Sequence, residues 1–539
     1  MKFGFRICAV YCALLALSLF LVFRLYTVTG GEKASQALSG QYLRKIEVAQ
    51  RRGFIYDRSG SLLNARQKGY ICLVSPSDCT SKKSASALIS SASGRPQSEV
   101  YDRMLTDVPF LLRTSEKAAG EGIFCYPLFD GGTTLAEHTV GYVNSDGDGV
   151  VGAEKRFDAL LSDSLSGTVT FRYCADAVGR PMKSKGSCLS DDGYTEGSGI
   201  YLTLDKNLQI LCETIAEEYS LDGAICITDT HSGEILASVS SPDFDSESVA
   251  QYLSSSKGEL VNRCTSSYTP GSVFKTVVAA AALEKDLSLY GREYNCEGCY
   301  ELENGDKIPC HSTRGHGSIT MNEAYALSCN PYFISLAEHL GHEAVTEASE
   351  KMGMTADFDV DGVLYADASL GNPPTDPSLT DGYTANLAIG QGRTLVTPIN
   401  VCTAFSCAVT GKLAAPRVLS KIRDGEGAEH SFYSDNPTTV LKKSTTELLC
   451  EMMRTCVEEG LGKSARTSRF GTMGKTATAQ SGQRLDGKEI LNLWFCGVYP
   501  GDEPEFTVCV LSRSTENNGR AKEIFRRICN SDVLNDIIG

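Results

Sequence analysis

The 539-residue chain has no run rich in Lys or Arg, and acidic residues outnumber basic ones by 66 to 51. The resulting formal charge of -15 would repel a phosphate backbone, so nucleic acid is excluded as an expected partner. Long apolar runs are missing outside one N-terminal segment, which excludes a protein with many membrane spans. No internal repeat of the length found in solenoids is visible. The composition predicts an ordinary globular chain of two or three domains.

The one long apolar run covers residues 7–23, which carry no charge and follow Lys2 and Arg6. About 17 residues is near the lower limit for crossing a bilayer. The preceding positive charges favour an N-terminus inside the cell and a chain that continues outside. A cleaved signal peptide is the alternative, although only residues 34–37 resemble a cleavage site. We predict a short cytoplasmic tail at 1–6 and an uncleaved, single-pass anchor in the cell membrane at 7–28.

The remainder of the chain divides near residue 198. Before it, short apolar runs broken by Gly, Asp and Ser predict a strand-rich accessory domain. After it, residues 201–204 have a strand pattern and 207–219 have apolar residues at helical spacing. Residues 223–228 and 234–239 then form a predicted hairpin, so the order of elements indicates an α+β layer structure.

Cysteine is abundant, with 21 residues. Cys226, Cys496 and Cys509 lie in apolar runs of strand character, where a thiol behaves as a small hydrophobic group. In an oxidising exterior, so many cysteines of an exported chain would be expected to pair as disulfides. We therefore expect an exterior that is not strongly oxidising.

One cysteine group has the composition of a metal site: Cys296, Cys299, Cys310 and His311, with His316 nearby. The first pair has the C-x-x-C spacing of zinc sites, but the second half is an adjacent Cys-His rather than a spaced pair. We therefore predict a disulfide or free thiols here, keep zinc as the alternative, and assign no metal and no cofactor.

A first candidate for chemistry is Ser272, which follows Pro270 and Gly271 and precedes Lys275 by three residues. The Ala-rich stretch 276–283 favours a helix, so both side chains should lie on one helical face. A Ser hydroxyl is a weak nucleophile that needs a base, and Lys can serve if burial lowers its pKa. Ser254 and Lys257 repeat the spacing, but in a polar loop without a following helix.

A second candidate is Ser328-Cys329-Asn330, where a hydroxyl and a carboxamide two residues apart can point into one site. The alternative is that both cap the following helix. Ser434-Asp435-Asn436 is a rival match in a polar stretch, and we prefer Ser328.

The third candidate is Lys475-Thr476-Ala477-Thr478. Its Gly-Lys-Thr string suggests a phosphate loop, but that loop requires a Gly at position 469, which is Arg. A strand carrying Lys475 at the edge of a cleft would instead bind a carboxylate and help to keep Lys275 deprotonated.

Together the strings match S-x-x-K, S-x-N and K-T-G in that order, and the chain resembles the class B penicillin-binding proteins. Further strings of that family recur along most of the chain: residues 52–60, similar to Arg-Gly-x-Ile-x-Asp-Arg-x-Gly, 138–142 with Gly152 and Glu154, Leu204-Asp205, 390–392 before Thr397-Pro398, and Trp494-Phe495. The resemblance implies a penicillin-binding transpeptidase fold, with an antiparallel sheet flanked by helices, a helical subdomain and a β-rich N-terminal pedestal. It implies an extracytoplasmic pedestal or dimerisation domain at 29–197 and a transpeptidase domain at 198–539.

The resemblance also implies roles. Ser272 would attack the penultimate D-Ala carbonyl of a peptidoglycan stem peptide, Lys275 would accept its proton, and Ser328 would pass it to the leaving amine. Asn330 would hold the substrate amide, and Lys475 and Thr476 the terminal carboxylate. The backbone N–H groups of Ser272 and Thr478 would form the oxyanion hole.

Implied partners are lipid-linked stem-peptide precursors, β-lactams that acylate Ser272, and wall-synthesis proteins that include a polytopic membrane glycosyltransferase. The region before residue 200 is too short for a glycosyltransferase domain of its own.

Two positions depart from the family pattern: Ala477 replaces the Gly of K-T-G, and Asn492 replaces a His often found before Trp494. The added methyl of Ala477 could lower β-lactam affinity or narrow the donor pocket. Two alternatives to the transpeptidase remain open, a β-lactam hydrolase or sensor and a catalytically weak scaffold for wall synthesis.

Overall fold

The computed structural model describes residues 2–29, 42–130, 135–182, 187–194, 198–375, 380–433 and 436–538. Contacts group the chain into two units. The smaller unit comprises Met1–Arg52, Arg66–Asp130 and Leu165–Gly197, and the larger one comprises Gly53–Ala65, Gly131–Ser164 and Ser198–Gly539. The predicted boundary at 197/198 stays a prediction, and Gly197 lies outside the described residues, as do Ser434 and Asp435 of the rival S-x-N string.

The smaller unit begins with helix α1 (Lys2–Thr29), whose stretch Ala9–Thr27 is 19 residues long and apolar enough to cross a membrane. Its other described strands and α-helices have these bounds: β1 (Leu43–Arg51), β3 (Arg66–Val74), α2 (Lys82–Ser93), α3 (Gln97–Leu105), β4 (Phe110–Thr114), β5 (Ile123–Asp130), β6 (Gly167–Cys174) and β7 (Ser187–Asp192). Strand β2, between β1 and β3 in sequence, belongs to the larger unit.

Two three-stranded sheets form the body of the smaller unit, in the orders β1-β6-β7 and β4-β3-β5. They share an apolar core that includes Val48, Leu73 and Phe171. Helices α2 and α3 cover β3 and β4 through a second cluster. A disulfide joins Cys72 and Cys125, which face each other across β3 and β5. The pair runs against the expectation of an exterior that is not strongly oxidising, because a disulfide forms only when both thiols are oxidised.

The strands of the larger unit are as follows: β2 (Phe54–Tyr56), β8 (Gly199–Leu202), β9 (Gly223–Asp229), β10 (Ile235–Ser241), β11 (Tyr294–Cys296), β12 (Cys299–Glu301), β13 (Lys307–Pro309), β14 (Gly317–Ile319), β15 (Phe358–Val360), β16 (Leu364–Ala366), β17 (Lys412–Leu413), β18 (Leu419–Arg423), β19 (Glu429–Ser431), β20 (Thr438–Thr439), β21 (Met473–Leu485), β22 (Lys488–Tyr499) and β23 (Phe506–Ser514). Its helices are as follows: α4 (Glu137–Val140), α5 (Gly152–Arg156), α6 (Lys206–Glu218), α7 (Lys275–Lys285), α8 (Met321–Ala326), α9 (Asn330–Leu340), α10 (His342–Lys351), α11 (Thr380–Ala388), α12 (Pro398–Thr410), α13 (Lys443–Glu458), α14 (Arg520–Cys529) and α15 (Asp532–Ile538).

A five-stranded antiparallel sheet in the order β10-β9-β23-β22-β21 organises the larger unit. Because side chains alternate along a strand, each strand serves both faces. Ile225 and Ile227 pack with α6 and α14 on one side, whereas Cys226 lies on the other side, next to Cys402 of α12. Helices on both faces bury the sheet, while β21 forms one edge of it.

Several strings that carried the family resemblance lie in the larger unit. Strand β2 pairs in parallel with β8, and the Asp57 carboxylate after it accepts hydrogen bonds from the backbone of Ser59, Ser61 and Lys206. Asn64 donates to the buried Glu154 over 2.6 Å. Contacts therefore place residues 53–65 and 135–164 in the larger unit, although both precede the predicted boundary in sequence.

The buried face of α14 gives a test of this packing. Ile524 is fully buried in the core cluster, so Ile524→Ala should destabilise the larger unit by about 2–5 kcal/mol. Ile537, which is 42% exposed, is the matched control, and Ile537→Ala should change stability by less than about 0.5 kcal/mol. Urea unfolding followed by fluorescence of Trp494, the single tryptophan, reports on this unit. Equal losses in the two variants would contradict the assignment of the core.

Candidate active site

Ser272 lies in a single 3-10 turn, Gly271–Phe274, that leads directly into α7. Gly271 has a φ of 57°. An added Cβ there would lie 3.0 Å from Ala479 Cβ of β21. Both the positive φ and this close contact favour glycine at position 271. The sequence Pro270-Gly271 thus allows the serine turn to approach the edge strand closely.

The string 390–392 packs against the Ser272 turn and forms a backbone hydrogen bond with it. Gly271 N donates to Gly390 O over 2.8 Å, and a Cβ at Gly390 would come within 2.2 Å of Gly271 O. Tyr268 and Val396 exchange two backbone hydrogen bonds of 2.9 Å each. Thr269 O accepts from Trp494 Nε1 at 3.0 Å, and from Asn492 Nδ2 at 3.5 Å. The backbone before Ser272 is therefore held by hydrogen bonds from two other segments. Asn492, whose departure from the family pattern the sequence did not explain, makes one of these contacts.

Ser328 and Asn330 occupy the turn between α8 and α9. Thr320 and Glu323 form a capping box that starts α8, and Pro331 occupies the first turn of α9. Between the helices Ser328 adopts a φ of 54°, a left-handed conformation that costs free energy for a residue with a Cβ. This conformation is held by its surroundings and directs the hydroxyl to Ser272.

Hydrogen bonds connect the first two strings. Ser328 Oγ lies 2.8 Å from Ser272 Oγ. Lys275 Nζ donates to Ser328 O and Asn330 Oδ1, both at 2.8 Å, and lies 3.4 Å from Ser328 Oγ. A continuous path for a proton thus runs from the Ser272 hydroxyl through Ser328 to the amine of Lys275.

Lys275 is fully buried. Burial, with the charge of nearby Lys475 adding to its effect, holds the pKa of the Lys275 amine well below its ordinary value. The Phe333 ring lies 5.5 Å from Nζ and contributes to the apolar surroundings. An amine with a lowered pKa is uncharged in a larger fraction of molecules near neutral pH, and only the uncharged form can accept a proton.

Lys475 projects from the edge strand β21 and is also fully buried, and burial lowers its pKa. Its Nζ lies 3.1 Å from Thr476 O and 5.4 Å from the centre of the Tyr325 ring. Thr476, Ala477 and Thr478 line a cavity above it. The third string therefore forms one wall of the same site.

The structure brings the predicted site residues together. The cavity is lined by Ser272, Ser328, Asn330, Thr476 and Thr478, with the two buried lysines beside it. The rival Ser254 is exposed, in a loop outside this cavity lining.

Sequence reasoning missed three polar residues of the cavity lining, His311, Asn517 and Lys522. The first was considered only as a metal ligand. The other two lie in a polar loop and at the start of α14, where the sequence gives no motif to single them out.

A family model, Penicillin binding protein transpeptidase domain, matches residues 223–530. This segment includes all three strings and more than half of the chain. The chain therefore belongs to the penicillin-binding protein transpeptidase family, and the predicted family and enzyme class, a serine-type transpeptidase, are confirmed.

Similar curated proteins agree. Stage V sporulation protein D of Bacillus subtilis is 27% identical, over 89% of this chain and 77% of that protein. Peptidoglycan D,D-transpeptidase MrdA of Acinetobacter baumannii is 25% identical, over 73% of this chain and 64% of that protein. Neither name supports the alternative of a β-lactam hydrolase or a scaffold. Together with the apolar helix α1, these relatives indicate a membrane-anchored protein.

Solved structures confirm the predicted fold. The D,D-transpeptidase domain of a peptidoglycan glycosyltransferase from Eggerthella lenta has a TM-score of 0.64 at 20% identity, covering 91% of this chain and 99% of that one. The penicillin-binding protein PBP2 of Helicobacter pylori, solved in complex with MreC, also has a TM-score of 0.64 at 20% identity, with 92% and 99% covered.

The two lysines give a pH test. Lys475→Gln removes the charge that helps to lower the pKa of Lys275, so that pKa should rise. Less of the amine is then uncharged at a given pH, and acylation by fluorescent penicillin should reach half its maximum at a higher pH. The midpoint is compared rather than the rate, because Lys475 is also expected to bind the substrate carboxylate, and its loss would lower the rate for that reason alone. Lys285→Gln, at the exposed end of α7, should leave the midpoint unchanged; equal midpoints in all three proteins would refute the coupling.

Proposed function

We propose that the chain is a peptidoglycan D,D-transpeptidase that cross-links stem peptides through an acyl-enzyme on Ser272. The path from Ser272 Oγ to Ser328 Oγ (2.8 Å) and on to the buried Lys275 Nζ (3.4 Å) carries this proposal. It supplies a hydroxyl with a relay and a base, as nucleophilic catalysis at a carbonyl requires.

In the acylation step, Ser272 Oγ attacks the penultimate D-Ala carbonyl carbon. Its proton passes through Ser328 to the uncharged amine of Lys275, which serves as general base. The C–N bond to the terminal D-Ala then breaks, and the same proton returns through Ser328 to the leaving amine. The amide of Asn330 holds the substrate backbone next to this path.

The edge strand β21 binds the substrate. Because an edge strand carries unpaired backbone groups, an extended stem peptide can align along it. Lys475 and Thr476 at its start bind the terminal carboxylate. The N–H groups of Ser272 and Thr478 point to the developing oxyanion, whose charge they stabilise.

In the second step, the amine of another stem peptide attacks the acyl carbon and loses a proton to Lys275. The C–O bond to Ser272 then breaks, the proton passes through Ser328 to Ser272 Oγ, and the new amide bond is the cross-link. β-Lactams acylate the same hydroxyl, because their ring carbonyl takes the place of the D-Ala carbonyl. Faster attack by water than by an amine would instead make the chain a hydrolase.

The chain functions outside the cytoplasmic membrane, with α1 as its anchor and a short tail inside. Precursors reach it on lipid carriers, and a polytopic membrane glycosyltransferase supplies the polymerised glycan. The complex of Helicobacter pylori PBP2 with MreC supports an assembly with other wall-synthesis proteins.

Replacing the nucleophile tests the proposal directly. Ser272→Ala should reduce labelling by fluorescent penicillin, and cross-linking of lipid-linked precursors, to background, because the acyl-enzyme cannot form. Ser254→Ala removes the exposed serine of the second S-x-x-K string and should retain full labelling. Mass spectrometry should locate the adduct on Ser272. Labelling that survives in Ser272→Ala would refute the assignment.

Ala477 gives a second test. It lines the cavity, is 7% exposed and pairs with Trp494 across β21 and β22. If its methyl restricts the approach of a ligand to β21, Ala477→Gly should raise the rate of β-lactam acylation at least about tenfold. Ala479→Gly, two residues further along the same strand, is the control and should give a smaller gain. An unchanged rate in Ala477→Gly would show that the methyl does not limit access.

A further inference from the structure

The start of helix α14 forms one wall of the catalytic cavity. Lys522, in the first turn of the helix, lines the cavity together with Gly519, which precedes the helix. The Lys522 side chain is half-buried, and its amine donates to Leu461 O, another residue of the lining, over 3.3 Å. Lys275 and Lys475 are fully buried beside the cavity. Lys522 is therefore the one lysine among the described residues that line the cavity surface.

Lys475 belongs to the face of β21 that α12 covers. It lies opposite Cys496 of β22, and directly opposite residues of an antiparallel pair point to the same face. Cys496 Sγ is 4.0 Å from Val401 O of α12, which identifies that face. The amine of Lys475 donates to Thr476 O, and the side chain has no exposed surface. Lys475 therefore acts on an anion in the cavity through its charge rather than through an exposed donor.

Thr476 belongs to the opposite face of β21, which α14 covers. It lies opposite Phe495 of β22, whose ring packs edge-on against Phe525 of α14 with the ring centres 4.6 Å apart. Thr476 and Lys522 both line the cavity. An ammonium and a hydroxyl on the same side of a strand are donors that one carboxylate can accept from together, and the bond from the ammonium is charge-assisted.

No acidic side chain competes for Lys522 within the part of the chain that the structure describes. Lys522 forms no ion pair there, and the described residues of the cavity lining include no Asp or Glu. The formal charge of -15 makes the molecule as a whole repel anions, so attraction of an anion has to come from cations at the site itself. Leu461 O is a neutral partner, so Lys522 gains electrostatic energy when a carboxylate replaces it.

We propose that Lys522 binds the terminal carboxylate of the substrate, together with Thr476, from the α14 side of the cavity. The assignment deepens the function proposed above and rests on it, because that function places the terminal carboxylate at Thr476. Lys475 adds its charge from the other face of β21. Lys522 takes no part in proton transfer or in bond making and breaking. Its effect is specificity for ligands with a free carboxylate over neutral ones.

The test compares two ligands that differ in this charge, benzylpenicillin and its methyl ester. The rate of acylation at low ligand concentration is measured for each by competition with fluorescent penicillin. The ratio of the two rates is taken within one preparation, so any inactive protein cancels. Lys522→Gln should lower the preference for the free acid at least about tenfold, because a charge-assisted hydrogen bond is lost. Acylation by the ester should stay nearly unchanged, whereas a purely structural role would lower both rates.

Two further variants serve as controls. Lys522→Arg should retain most of the preference, because a guanidinium also binds a carboxylate. Arg526→Gln removes one positive charge from an exposed position of the same helix, outside the cavity lining, and should behave like the unmodified chain. An equal fall in Arg526→Gln would assign the effect to overall charge. That result, or an unchanged preference in Lys522→Gln, would overturn the proposal.

Binding without chemistry separates this proposal from the proposed function. In Ser272→Ala, a peptide that ends in D-Ala-D-Ala should bind at least about tenfold more tightly than the same peptide with a C-terminal amide, as measured by titration calorimetry. Adding Lys522→Gln should abolish most of this difference. That result would support the carboxylate site even if no cross-linking were found. A difference that persists in the double variant would overturn the role of Lys522 and leave the function of Ser272 intact.

Discussion

The complete burial of the Lys275 side chain is the constraint on which this site depends. Burying a charged ammonium is costly, so the fold shifts Lys275 toward its neutral form and supplies hydrogen-bond partners for it. Ser328 O and Asn330 Oδ1 are these partners, and both come from one turn. The same arrangement that lets the amine be buried also favours its uncharged form close to Ser272, which is the form that the proposed role as a base requires.

Three segments of the chain must meet to form this site: the Ser272 turn, the Ser328 turn and β21. The large sheet brings them together. β21 supplies Lys475 at the sheet edge, and the Ser272 turn approaches that strand so closely that Gly271 leaves room for little more than a hydrogen atom. Gly390 allows a still closer approach, since a Cβ there would lie 2.2 Å from Gly271 O. Glycine at these two positions lets neighbouring segments pack closely against the backbone of the Ser272 turn. Neither glycine contributes a side chain to the active site.

Cysteine serves different purposes in different parts of this chain. Cys226 is a buried small group within the central layers, as its apolar neighbours predicted. Cys72 and Cys125 form a disulfide across two strands of the smaller unit. Near the active site, Cys310 and Cys329 lie where thiols from separate elements converge. The number of cysteines alone was therefore too coarse a guide to the redox state of the exterior. The surroundings of each thiol decide its chemistry.

The sequence by itself determined the family, the three strings that form the candidate site, the apolar N-terminal helix and the order of the first strands and helices after residue 198, because local spacing and periodicity encode them. Tertiary structure alone decided which side chains meet. Ser328 reaches Ser272 across 56 positions, and Lys475 lies a further 147 positions along the chain. It also placed residues 53–65 in the larger unit and brought Cys329 to Cys296. Such encounters depend on sheet order and close packing, which no local pattern records.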